Sequence, residues 1–66
     1  MKWIRRDNGY VVHDSAGFRL AVVYRERKNV WAYYAQGWNA VRRTRYFKDA
    51  MAEATTQLVI QALEQS

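Results

Sequence analysis

The chain has 66 residues, no cysteine and a formal net charge of +5. This length predicts one domain spanning residues 1–66, and the lack of cysteine excludes disulfides and thiolate metal sites. A chain this small buries only about 60% of the surface that its unfolded form exposes, so we expect a second subunit or a partner to supplement the core. The absence of disulfides favours a reducing, cytoplasmic setting. No apolar run suits a signal peptide or a membrane span of ~20 residues, so no membrane partner is expected.

The charge is distributed unevenly along the chain. Residues 1–47 contain ten Lys or Arg and three Asp or Glu, whereas residues 48–66 carry a net charge of −2. Eight of the eleven cations are arginine, which makes forked contacts with phosphate or carboxylate and stacks on aromatic rings. This pattern indicates an anionic partner, although a soluble basic domain also carries such charge as solvated surface.

The first half of the chain predicts short strands separated by turns. Lys2 to Arg6 resembles a strand that enters a turn at Asp7-Asn8-Gly9, where Asn-Gly supplies positive φ. Residues 10–13 form the next strand, and residues 14–17 form the next turn.

The central stretch, residues 18–35, predicts two strands joined by a turn at residues 26–29. One parity of the first strand is apolar, comprising Phe18, Leu20, Val22 and Tyr24. The opposite parity includes Arg19, Arg25 and Arg27. Alternate side chains leave opposite faces, so we expect the apolar parity to lie under a helix and the arginines to line an uncovered basic face. The turn does not fix the register of the second strand, so either Trp31 and Tyr33 or Tyr34 would join Tyr24 on the helix side.

The C-terminal third predicts a helix. A short strand over residues 41–47 precedes it, and the helix itself spans about residues 49–64 with Asp49 as its cap. One apolar stripe faces the core and consists of Phe47, Met51, Ala54, Leu58 and Ala62. Three further apolar residues, Val59, Ile60 and Leu63, predict a second buried contact on the helix flank, which we interpret as a homodimer interface.

These elements define an α+β fold, in which an antiparallel β-meander of three to five strands is followed by one C-terminal helix packed on one sheet face. All strands lie within residues 2–47. The other sheet face must be solvated, paired with another copy or used for binding.

The residues required for catalysis are sparse. The one histidine, His13, is followed by Asp14, but neighbours on a strand point to opposite faces and cannot form an orienting pair. The acidic residues show no paired spacing, no glycine-rich loop is present, and no metal-ligand cluster exists. We therefore expect a protein that is not an enzyme and that needs no metal or cofactor.

Basic and aromatic residues are instead interleaved in a way typical of nucleic-acid binding. Arginines neutralise phosphates, exposed rings stack on bases, and a two-stranded ribbon fits the major groove. The candidate binding residues are Arg19, Arg25, Arg27, Trp31, Arg42, Arg43 and Arg45. DNA is favoured over RNA. Two alternatives remain open: a regulator or inhibitor that docks on an acidic protein through the same residues, and a structural homodimer.

The stretch from Trp31 through Gly37 to Tyr46-Phe47-Lys48-Asp49-Ala50-Met51-Ala52-Glu53-Ala54 resembles sheet-plus-helix DNA-binding domains. These include the plant ethylene-response-factor type and the arm-binding domains of tyrosine recombinases. The resemblance implies that Arg19, Arg25 and Arg27, with Trp31, contact the major groove from the uncovered sheet face. The glycine-arginine strand signature of those families is missing here. The same order of elements is also similar to short uncharacterised phage and prophage proteins, some of which inhibit host proteins.

Overall fold

The computed structural model describes residues 2–65, and for Gln65 the backbone alone. Five strands form one antiparallel sheet in the order β1-β2-β3-β4-β5, and one helix follows them. The elements are β1 Ile4–Arg6, β2 Gly9–His13, β3 Arg19–Arg27, β4 Val30–Ala35, β5 Arg42–Thr44 and α1 Phe47–Gln65. The predicted α+β meander with a C-terminal helix is therefore confirmed, at the upper limit of the predicted strand number. The described residues contain no helix that is both long enough and apolar enough to cross a bilayer.

The helix begins earlier than the sequence predicted. Phe47 is its first residue rather than the last residue of a strand, and β5 is correspondingly short. The amide of Ala50 donates to the carbonyl oxygen of Tyr46 at 3.2 Å. Asp49 therefore lies within the first turn and is not the cap, although its charge still complements the positive end of the helix dipole.

The core lies between α1 and the middle of the sheet, and it combines small side chains with Tyr33 and Leu58. Its sheet layer consists of Val12, Ala21, Val23, Tyr33 and Ala35, and its helix layer consists of Ala50, Ala54 and Leu58. The helix packs most closely on β3, β4 and β5, and Val12 of β2 also lies in the core. The predicted stripe is correct for Ala54 and Leu58, which are buried, and for Phe47 and Met51, which are partly buried. It is wrong for Ala62, which is exposed, and it omitted the buried Ala50.

The helix covers the sheet face opposite to the one that the sequence predicted. Ala21 and Val23, which were assigned to the basic parity, are both 0% exposed beneath α1. Val22 and Tyr24 lie on the other face, and Phe18 is 70% exposed. The parity without arginine was taken as the interior, but α1 packs its alanines against the small side chains of Ala21 and Val23.

A β-bulge explains why one parity does not hold along the whole of β3. The register between β2 and β3 shifts after Val12, so that His13 pairs with Arg19. A bulge inserts one residue and reverses the alternation beyond it. Leu20 consequently packs against the core, as predicted, although its parity partner Val22 does not.

The register of β4 resolves the alternative that the sequence left open. Trp31 pairs with Arg25, and Tyr33 pairs with Val23, so both aromatic residues lie on the helix side. The intervening turn is Lys28-Asn29, and Asn29 has a φ of 63°.

Gly9 serves a purpose different from the predicted one. Its φ is not positive, and the β1–β2 turn consists of Asp7 and Asn8 alone. A Cβ atom at position 9 would lie 1.9 Å from the carbonyl oxygen of Val23. Glycine is therefore required here because β2 and β3 approach each other closely.

Candidate nucleic-acid interface

The meander brings three basic segments together at one end of the sheet. The β1–β2 turn, the β3–β4 turn and the β5–α1 junction meet there, because alternate connections of an antiparallel meander lie at the same end. We define this surface, residues 5–8, 25–29 and 45–49, as the basic end. It contains seven of the eleven cations and three acidic residues, a net charge of +4, which leaves +1 for the rest of the chain. The cations are Arg5, Arg6, Arg25, Arg27, Lys28, Arg45 and Lys48.

Two further features add to the positive potential of the basic end. The helix begins at Phe47, and the N-terminus of its dipole adds about half a positive charge. In addition, the seven cations make no ion pair within residues 2–65. Their charge is therefore available to an external anion.

The ion pair found among the described residues involves Glu26, which is one of the three acidic residues of the basic end. Glu26 accepts a hydrogen bond from the Nε of Arg43 at 2.6 Å, on the sheet face away from the helix. That hydrogen bond lowers the pKa of the Glu26 carboxyl and raises the pKa of the Arg43 guanidinium above its ordinary value. Arg43, which lies on the neighbouring sheet surface, is thus the main partner of Glu26, and the charge of Arg27 in the basic end adds a smaller effect.

An aromatic cleft opens at the basic end on the helix side. The ring of Phe47 lies 5.3 Å from that of Tyr10 and 4.8 Å from that of Trp31, with tilts of 40° and 56°. All three residues are half-buried, and the cleft that they line has a volume of about 490 Å³. Its charged lining consists of Arg5, Arg6 and Arg25 against Asp7. We refer to this site as the aromatic cleft.

Two arginines are cross-strand neighbours of aromatic residues that line the aromatic cleft. Arg5 is the register partner of Tyr10, and Arg25 is the register partner of Trp31. Directly opposed side chains have Cβ atoms about 4.5–5.5 Å apart. Aromatic rings and guanidinium groups therefore alternate along this edge of the sheet.

The uncovered face is not the basic face that the sequence predicted. Arg25 and Trp31 lie on the helix side, and Arg27 lies at the end of β3 next to the turn. Arg19 does reach the uncovered face, where the bulge places it beside His13. A cleft of about 440 Å³ on that face is lined by Arg6, His13, Arg19 and Tyr24 over a floor of Val11 and Val22.

The three arginines of the predicted cluster, Arg42, Arg43 and Arg45, point in different directions because successive side chains of a strand alternate between its faces. The Arg42 guanidinium stacks on the ring of Trp38 at 4.0 Å, on the helix side. Arg43 points to the opposite face and binds Glu26. Arg45 is exposed beside Asn29 at the basic end. The three side chains consequently occupy three different environments and do not form one patch.

The predicted dimer residues lie on the exposed flank of α1. Val59 is 47% exposed, Ile60 42% and Leu63 70%. Their position agrees with an apolar flank turned away from the sheet, and their role in self-association stays a prediction.

Sequence reasoning did not assign Tyr10 and Phe47 to the site, nor Arg5, Arg6, Lys28 and Lys48. The predicted meander topology could have identified the basic end, because alternate turns lie at the same end of the sheet and their charges can be summed. The aromatic cleft depends on the register of four strands and on the helix start, which no local pattern specifies.

Residues 2–65 contain no cluster of three or more His, Cys, Asp or Glu that could hold a metal ion. Comparison with known proteins gave no match, whether among family models, curated proteins or solved structures.

Proposed function

We propose that this protein binds nucleic acid through its basic end. The observation that carries the proposal is the convergence of seven cations from three separate chain segments at one end of the sheet. A polyanion interacts favourably with such a cluster because each neutralised phosphate releases condensed counterions.

The composition of the cluster favours phosphate over a diffuse acidic surface. Five of the seven cations are arginines, whose planar guanidinium groups make paired hydrogen bonds with phosphate oxygens. Aromatic rings lie beside two of these arginines at the aromatic cleft. Rings placed between guanidinium groups suit bases that lie between phosphates, and the same residue types also occur at protein–protein interfaces.

The proposed surface differs from the one expected from the sequence. Of the seven residues first assigned, Arg25, Arg27, Trp31 and Arg45 belong to the basic end or its cleft. Arg19, Arg42 and Arg43 lie elsewhere, and we assign them no direct contact with nucleic acid.

The proposal is tested with two triple variants of equal charge. Arg27→Ala/Lys28→Ala/Arg45→Ala removes three cations from the basic end, and Lys2→Ala/Arg19→Ala/Arg42→Ala removes three from the rest of the chain. Fluorescence anisotropy at low salt, with labelled single-stranded and duplex DNA and RNA, measures the affinity of each.

We expect the basic-end variant to lose at least about tenfold in affinity and to lower the salt slope by about 2–3, since each phosphate contact contributes about one unit. The control variant should retain most of the binding. Equal losses in the two variants would show that net charge, and not the basic end, governs binding, and a wild-type protein that binds none of the four nucleic acids at low salt would refute the proposal.

A further inference from the structure

We infer that the aromatic cleft holds an unpaired base, so that the protein prefers single-stranded nucleic acid to a duplex. This inference rests on the proposed function and adds a strand preference to it. It starts from the recessed position of the three rings and from the arginines on the edge of the recess.

The position of the rings decides which part of a nucleic acid they meet. In a duplex, the flat faces of the bases are covered by stacking, and proteins reach only base edges in the grooves. Rings inside a cleft therefore find a partner only in a base that has left the stack, as in single-stranded recognition. A volume of about 490 Å³ lies within the range of small-ligand sites, which is about 300–1,000 Å³.

The charges around the cleft match the backbone of such a strand. Arg5 lies across from Tyr10, and Arg25 lies across from Trp31, so cations flank the rings on two strands. A base seated on the rings would place its neighbouring phosphates near these guanidinium groups. Asp7 is the one acid in the lining, so the cleft carries a net positive charge.

Substitution of Tyr10 can distinguish a role of the rings in binding from a role in stabilising the fold. Trp31 and Phe47 both pack against the buried core, and their rings have an evident structural purpose. Tyr10 does not belong to that packed set, and its ring contacts that of Phe47 in the lining of the cleft. Because Tyr10 is half-buried here, its ring mainly forms part of the wall of the cleft and adds little to the packing of the core.

The test compares Tyr10→Leu with Tyr46→Leu. Tyr46 is an aromatic residue of the same basic end, is 60% exposed and lies outside the cleft. The probes are an oligothymidine of about 12 nucleotides, within the usual range of site sizes, and a duplex of equal length at the same salt concentration. Circular dichroism establishes that both variants are folded.

We expect the wild-type protein to bind the single strand at least about fivefold more tightly than the duplex. Tyr10→Leu should weaken single-strand binding by about fivefold to 150-fold, the effect of losing one stacked base, and should change duplex binding little. Tyr46→Leu changes the basic end outside the cleft, so it should affect single-strand and duplex binding to the same degree and leave the strand preference unchanged.

A second readout locates the contact directly. Ultraviolet crosslinking of a bromouracil-substituted oligonucleotide, followed by mass spectrometry, should identify Tyr10, Trp31 or Phe47 as the attachment site. The inference is overturned if duplex and single strand bind equally, or if Tyr10→Leu behaves as Tyr46→Leu does. In both of those cases nucleic acid is still bound, so the proposed function survives, whereas a protein that binds neither probe loses the proposed function as well.

Discussion

Gly9 has a steric role that no other residue at this position could fill. A Cβ atom there would meet the backbone of β3, with the carbonyl oxygen of Val23 at 1.9 Å and the Cα of Tyr24 at 2.7 Å. Backbone atoms cannot move aside as the end of a flexible side chain can. The β2–β3 pairing, which carries Val12 into the core, therefore depends on this glycine.

Gly9→Ala should lower the free energy of unfolding by about 3 kcal/mol, the upper end of the usual cost of overpacking. Urea denaturation measures this change. Gly17→Asn is the matched control, because position 17 has a φ of +89° with no atom within 4 Å, and asparagine tolerates left-handed backbone. The control should cost less than about 1 kcal/mol. Similar losses in the two variants would contradict the steric account.

The Glu26–Arg43 pair limits the charge at the basic end. Glu26→Gln removes one negative charge and releases the Arg43 guanidinium, so we expect tighter nucleic-acid binding and a salt slope steeper by up to about one unit. Glu64→Gln makes the same change of charge near the far end of α1 and should have a smaller effect. If the two variants bind equally well, the local ion pair does not influence binding.

The Glu26–Arg43 ion pair also predicts the direction in which the pKa of Glu26 is shifted. The hydrogen bond from Arg43 holds the pKa of Glu26 below its ordinary value of 4.5. A lowered folded-state pKa stabilises the protein above the unfolded-state pKa, and that stabilisation is lost as the pH falls through the folded-state pKa. Since both side chains are exposed, the effect on stability is small, and NMR titration of the Glu26 carboxyl measures the shift itself. In Arg43→Ala most of this lowering of the Glu26 pKa should be lost, and the smaller effect of the Arg27 charge should remain.

At the scale of elements, the close approach of helix and sheet depends on alanine. Ala50 and Ala54 of α1 are fully buried against a sheet surface that includes Ala21 and Ala35. Small residues in both layers leave no room for additional methylene groups.

Ala54→Leu should therefore destabilise the fold by about 1–3 kcal/mol, because the added side chain forces α1 away from the sheet. Ala52→Leu adds the same atoms at an exposed position two residues earlier and should change stability by less than about 0.5 kcal/mol. Thermal or urea unfolding distinguishes them, and an Ala54→Leu variant as stable as wild type would refute the close packing.

The exposed flank of α1 predicts self-association. Val59, Ile60 and Leu63 present apolar surface on a chain whose own core is small. Ile60→Glu should convert a dimer into monomers without unfolding α1, as sedimentation velocity and circular dichroism would show. A wild-type protein that is monomeric at high concentration would remove this prediction.

The sequence specified the elements better than their faces. Alternation and turn residues were sufficient to predict the meander, and three- and four-residue spacing predicted α1. The face was assigned wrongly because Arg19, Arg25 and Arg27 share the parity of Ala21 and Val23, and their charge suggested exposure of that whole face. The deciding quantity was the combined volume of the two packed layers, which depends on the helix alanines as well as on β3. The bulge after Val12 is a tertiary adjustment with no local signal.

At the scale of the whole molecule, charge separates by end and not by face. Outside the basic end, the uncovered face carries Arg19 as a cation without an ion-pair partner in the described chain, whereas the basic end has a net charge of +4. The sequence predicted a basic, arginine-rich surface, but strand alternation distributed the central arginines over both faces. Meander topology then collected the turn residues at one end. The first effect is visible only with the register, whereas the second follows from the order of the strands.

The most direct test of nucleic-acid binding at the basic end is the salt dependence of the affinity of the wild-type protein. Binding to a labelled oligonucleotide is measured between low and physiological salt concentrations. If four to seven of the clustered cations contact phosphates, log K should fall with log salt at a slope between about −3 and −6. A slope near zero, or no binding at the lowest salt concentration, would contradict the account.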